Sequence, residues 1–142
     1  MEWNEFKESE KEYPEDIVAK TIDGFSKATS HLCEIQISPV ESFVGDLFVD
    51  FEFRVLLLSN TIKSYKFEVF RFGYNVDLFP VFSIIDENIF EELTKKKMRR
   101  KQKTIQSNEK EFQEFLNGIF GTSRFKEVVS GLMKISRKHL TE

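Results

Sequence analysis

Val49-Asp50-Phe51-Glu52-Phe53-Arg54-Val55-Leu56-Leu57-Leu58, followed across Ser59-Asn60-Thr61 by Tyr65-Lys66-Phe67-Glu68-Val69 and then Phe70-Arg71-Phe72-Gly73-Tyr74, decides the fold. Side chains alternate faces along a strand, so an apolar residue at every second position marks a half-buried strand. Val49, Phe51, Phe53, Val55 and Leu57 fall on one face, with Asp50, Glu52 and Arg54 on the other; near Leu56 and Leu58 both faces turn apolar. The return strand sets Tyr65, Phe67 and Val69 against Lys66 and Glu68. Pairing Phe53 with Val69, Val55 with Phe67 and Leu57 with Tyr65 matches every apolar partner and places Arg54 opposite Glu68. After Val69 the apolar phase slips to Phe70, Phe72 and Tyr74, as one inserted residue would cause, which predicts a β-bulge.

Outward from this hairpin, Cys33, Ile35 and Ile37 alternate with Glu34, Gln36 and Ser38 and predict a first strand ending at Pro39. Phe79 to Ile85, with Pro80 near its start, predicts a further short or edge strand. Pro14 followed by Glu15 and Asp16 suits the first turn of a helix. Ile17, Val18, Thr21, Ile22, Phe25, Ala28 and Leu32 then recur at helical spacing, so one helix is expected from about Pro14 to Ser30, modestly weakened by Gly24. Ile89, Phe90 and Leu93 predict a short helix over 87–93. Asn108 with Glu111 resembles a capping box ahead of Phe112, Phe115, Leu116 and Ile119, and the helix stops near Gly121. Thr122 or Ser123 caps a last helix lined by Phe125, Val128, Val129, Leu132, Met133 and Ser136. The sum is an α+β fold, an antiparallel sheet of three or four strands packed by an N-terminal helix and a C-terminal helical hairpin. Its 142 residues suit a single domain.

Charge is distributed unevenly. Lys95, Lys96, Lys97, Arg99, Arg100, Lys101 and Lys103 make seven cations in nine residues, leaving 14 bases against 24 acids elsewhere in a chain of net charge -3. Met98 is the only apolar residue of the run, which therefore predicts an exposed, mobile loop at about 95–105. Such a loop suits phosphate neutralisation, an acidic protein or lipid head groups, or simply lies in solvent without a partner. Its flanks are acidic, with Glu87, Glu91 and Glu92 before it and Glu109 and Glu111 after, whereas nucleic-acid binders usually carry a broader basic surface.

Sixteen of the 20 aromatic residues are Phe, which has no polar handle and so reports a core, or else a Phe-lined ligand cavity. The single cysteine, Cys33, excludes an internal disulfide and suits a reducing compartment. His31 with Cys33 and Glu34 makes a poor zinc set, and a Cys33–His139 nucleophile pair lacks an oxyanion turn beside the thiol. The glycines are scattered singly, so no phosphate-cradling loop or dinucleotide fingerprint is present. Neither metal nor cofactor is expected. The acidic N-terminus does not read as a secretory signal, and no apolar run approaches the ~20 residues of a membrane helix, so a cytoplasmic location is expected.

Phe79-Pro80-Val81, a charged insertion, Asn108-x-x-Glu111-Phe112, Ile119-Phe120, Ser123, Val128-Val129 and Leu132 together resemble the C-terminal half of small uncharacterised bacterial α+β proteins, some of them similar to immunity proteins or antitoxins. The resemblance covers about 60 residues, mostly caps and core positions, and transfers no functional residue. It implies a non-enzymatic bacterial binding protein, and the acidic body then reads as the surface that engages a protein partner, with Asp50 and Glu52 on its solvent face. A nucleic-acid-associated protein using the 95–103 loop, and a carrier or enzyme with a Phe-lined cavity, are the alternatives.

Overall fold

The computed structural model describes residues 1–41, 44–98, 100 and 102–140. Helices α1 (Pro14–Ile22) and α2 (Phe25–Ala28) lead into strands β1 (Cys33–Val40), β2 (Phe51–Ser59), β3 (Lys66–Tyr74) and β4 (Val81–Ile85). Helix α3 (Glu87–Thr94), strand β5 (Lys103–Gln106) and helices α4 (Glu109–Phe120) and α5 (Ser123–Leu140) complete the order. The strands form one antiparallel sheet in chain order, β1-β2-β3-β4-β5. Five strands replace the three or four expected, and β4 is interior rather than an edge because β5 pairs along it. β5 evades the alternation rule because its polar residues face inward. Gln106 is buried and accepts from Ser83 Oγ at 2.9 Å, while Ile105, the apolar member, is 58% exposed on the outer face.

The β2–β3 register also differs from expectation. Phe53 faces Phe72, Val55 faces Phe70 and Leu57 faces Phe67, with the slip falling between Val55 and Leu56. The predicted bulge is therefore real and lies within the ladder, so the pairing of Phe53 with Val69 is corrected. Arg54 lies directly opposite Arg71, and the bulge brings Glu68 between the two guanidinium groups, where it accepts from Arg54 Nε at 2.6 Å and Arg71 Nε at 3.0 Å. The expected Arg54–Glu68 contact survives, on a different register.

The single N-terminal helix is likewise corrected. Gly24 sits at φ +85°, in the left-handed region, and splits the segment into α1 and the one-turn α2. Thr29 then anchors the entry to β1, its hydroxyl accepting from Cys33 N at 3.1 Å.

The helices share one core with the inner sheet face. Val55, Leu57, Phe70, Phe72 and Val81 cluster with Val18, Ile89, Phe112, Leu116 and Ile119. The rings touch one another rather than line a void: Phe72 lies 5.7 Å from Phe112, and Phe70 meets Phe115 edge-on at 6.0 Å. These Phe residues form the core that the composition leads us to expect. The helix starts follow their caps, with Asn108 accepting from Glu111 N at 2.9 Å and Thr122 Oγ1 from Phe125 N at 3.2 Å. Glu92 of α3 reaches across to accept from Ser123 N (2.7 Å) and Arg124 N (2.8 Å), and these bonds to the α5 N-terminus hold its carboxyl below the usual range. Among the described residues no helix is long and apolar enough to cross a membrane.

On the outer face the register aligns Val40, Glu52, Gly73, Phe82 and Ile105 in one row and Ser38, Arg54, Arg71, Ile84 and Lys103 in the next. Gly73 belongs there because a Cβ would lie 2.5 Å from Val49 Cγ2 and 2.7 Å from the Phe51 carbonyl oxygen, a backbone atom that cannot step aside. Gly73→Ala is expected to cost about 1–3 kcal/mol by overpacking. In urea denaturation the midpoint should fall with little change in the slope.

Candidate functional site

Asp50 and Glu52, expected side by side on a solvent face, separate. Asp50 remains exposed and ties two loops together, its carboxylate accepting from Val76 N at 3.2 Å and its own N–H donating to Asn75 Oδ1 at 3.0 Å. Glu52 is only 3% exposed, which corrects the reading of it as a surface acid. Residues 44–50 fold over it, and its carboxylate accepts from Asp46 N (3.1 Å), Leu47 N (2.9 Å) and Arg71 (3.3 Å). Burial alone would lower the Arg71 guanidinium's hold on its proton, but Glu68, Asp46 and Glu52 around it raise it. This network is structural, because its buried acid is fully engaged.

The basic run is placed in part. Lys95, Lys96, Lys97, Arg100 and Lys103 are exposed, whereas Arg99 and Lys101 lie outside the described residues. Lys95 closes α3 at φ +61°, and Met98 packs against the core, an anchor that the composition of the run hid. Arg100 borders a groove of about 470 Å³ shared with Glu68, Asp86 and Glu87, so carboxylates face the cations there. The loop ends at Lys103, where β5 begins, which shortens the expected 95–105 span.

Cys33 is fully buried and its thiol is pushed up by that burial, against a smaller opposing effect of Ser136, so it is suited to packing rather than attack. Among the described residues no group of three or more His, Cys, Asp or Glu is gathered for a metal.

The arrangement best suited to binding was not singled out by the sequence. A cleft of about 750 Å³ opens between the N-terminal arm and the start of the β2–β3 ladder, with Glu8, Lys11, Tyr13 and Glu15 on one side and Phe51, Phe53 and Tyr74 on the other. The rings form a graded wall. Phe51 lies 5.5 Å from Tyr74, and Phe53 stacks on Phe72 at 5.1 Å and Tyr74 at 6.2 Å. Phe51 is 47% and Tyr13 57% exposed. Tyr74 donates its hydroxyl to Glu15 at 2.6 Å, which fixes α1 to the sheet; burial first, and this bond second, push the phenol well above its ordinary range. A signal did exist. Tyr74 ends a Phe-rich strand with a polar tip that needs a partner, and residues 1–16 hold seven acids against Lys7 and Lys11.

No family model, curated protein or solved structure matches the chain.

Removing one member of a buried ion pair strands the other, whereas exposed pairs contribute little. Glu52→Ala is therefore expected to destabilise by about 3–5 kcal/mol, and Arg54→Ala, whose side chain is 38% exposed, by no more than about 1 kcal/mol. Chemical denaturation of the two variants checks the contrast; similar losses would mean that the outer face is not organised around Glu52.

Proposed function

We propose that the chain is a binding protein that engages a cationic protein partner through the acidic, aromatic-walled cleft between its N-terminal arm and the β2–β3 ladder. The observation that carries this reading is the pairing of half-exposed rings, Phe51 and Tyr13, with carboxylates on one cleft. A guanidinium has both requirements met there, because its flat face stacks on an aromatic ring while its edge donates to a carboxylate. Acids that remain exposed, Glu8 and Glu10 among them, add a field that draws a basic partner in. The acidic contact thus moves from the Asp50 and Glu52 pair to the arm. An immunity- or antitoxin-like role fits this form of recognition, since masking a basic surface requires carboxylates where that surface would otherwise meet phosphate.

The test uses fluorescently labelled peptides rich in arginine or in lysine, titrated against the protein by anisotropy. Arginine peptides should bind more tightly, and binding should weaken with salt. Phe51→Ala or Tyr13→Ala should weaken it about 2–5-fold, the scale of an exposed cation–π contact. Glu8→Lys with Glu10→Lys should act mainly on the association rate. Equal binding of both peptides, unaffected by Phe51→Ala, would overturn the proposal. So would salt-sensitive binding of generic DNA or RNA that disappears when Lys95, Lys96, Lys97 and Arg100 become Ala.

A further inference from the structure

The outer face of the sheet carries a second surface that the cleft does not use. Where the row Gly73, Phe82, Ile105 reaches the sheet edge, the 44–50 loop borders a groove of about 290 Å³ walled by Leu47, Phe48, Phe82, Lys103 and Ile105. Leu47 is buried and supplies its floor. Phe48 is 88% exposed, and its backbone stands at φ +57°, a conformation that is costly for a bulky side chain and that concentrates at functional positions. Beside it Ile105 is 58% exposed, from a strand whose polar residues take the inward positions.

The rim of this groove is cationic. Lys103 Nζ donates to the Leu47 carbonyl oxygen at 3.1 Å and lies 5.2 Å from the centre of the Phe48 ring. Among the described residues Lys103 makes no ion pair, because the nearby acids are committed elsewhere: Glu52, Glu68 and Asp46 to Arg71, and Glu68 to Arg54 as well. An apolar groove under a cationic rim takes an acidic segment with large apolar anchors.

The chain carries one. Met1-Glu2-Trp3-Asn4-Glu5-Phe6-Lys7-Glu8 has three acids against one lysine and forms neither helix nor strand. Its two anchors lie together, Trp3 and Phe6 5.9 Å apart, and they stand 72% and 78% exposed with no core to enter. We infer that this arm docks in the Phe48–Ile105 groove of a second copy, Trp3 and Phe6 covering the exposed ring and methyls while Glu2 and Glu5 meet Lys103. Donor and acceptor are different surfaces, so two copies close the contact by exchanging arms reciprocally, and otherwise it propagates.

Trp3 is the only tryptophan, so its emission reports the docking directly. In a dilution series of the full chain, emission should shift to the blue and the sedimentation coefficient should rise together with concentration. About 0.5 M salt should weaken both. Phe48→Gly should abolish the association without lowering the melting temperature, because glycine adopts φ +57° freely. Lys103→Glu should weaken it about tenfold or more. In trans, a peptide of residues 1–12 should bind the Trp3→Ala/Phe6→Ala chain, with a blue shift of the peptide's own tryptophan, and should not bind once Phe48→Gly is added. Association that survives Phe48→Gly, emission that is blue-shifted at every concentration (an arm seated on its own chain), or a peptide that does not bind would each overturn the inference. Phe51→Ala and Tyr13→Ala should leave all these readouts unchanged, which separates this contact from the cleft.

Discussion

A carboxylate buried in a sheet must be surrounded by donors and positive charge, and the outer half of this protein is organised by meeting that demand at Glu52. The helices pack on the inner face, so no helix is available to shelter the acid. Arg71 and the backbone amides of Asp46 and Leu47 do so instead, which brings the 44–50 loop down onto the strands. Consequences then follow along the chain. The loop's approach leaves no room for a Cβ at Gly73, Leu47 becomes a buried plug, and the next residue, Phe48, is turned outward in a left-handed conformation. The opposed arginines, Arg54 and Arg71, share Glu68, which the bulge places between them.

Much of this is legible in the sequence. The period-two run of β2 and β3, the phase slip that became a bulge, the Arg54–Glu68 contact, the Asn108 cap and the α4–α5 hairpin all follow from side-chain spacing, because each is a local consequence of backbone geometry. What stayed hidden was set by long-range packing. β5 was masked by an inverted pattern, with Gln106 satisfied inside by Ser83 while Ile105 faces out. Glu52 alternated as a solvent-facing acid, and nothing in its spacing shows that a loop will cover it. Gly24 counted as a weak helix residue when averaged over a turn, whereas its left-handed backbone ends the helix outright.

The binding cleft was the least legible part, for a related reason. Its two walls are distant in sequence and are joined by bonds such as those from Tyr74 to Glu15 and from Lys11 Nζ to the Asp77 carbonyl. Composition indicates an acidic arm and an excess of rings, but only the fold brings the arm beside Phe51 and Phe53 and not beside the basic run. The acidic arm and the described part of the basic run therefore border different grooves.

The sheet order has a kinetic meaning as well. Because β1 to β5 pair strictly in chain sequence, every ladder joins strands that are consecutive along the polypeptide, and the β2–β3 and β3–β4 steps close short loops at modest entropic cost. The long closures are reserved for docking, as in the hydroxyl contact of Ser59 with Ser136 at 2.7 Å across 77 residues. The contacts of α5 with the sheet are therefore the ones whose closure spans most of the chain.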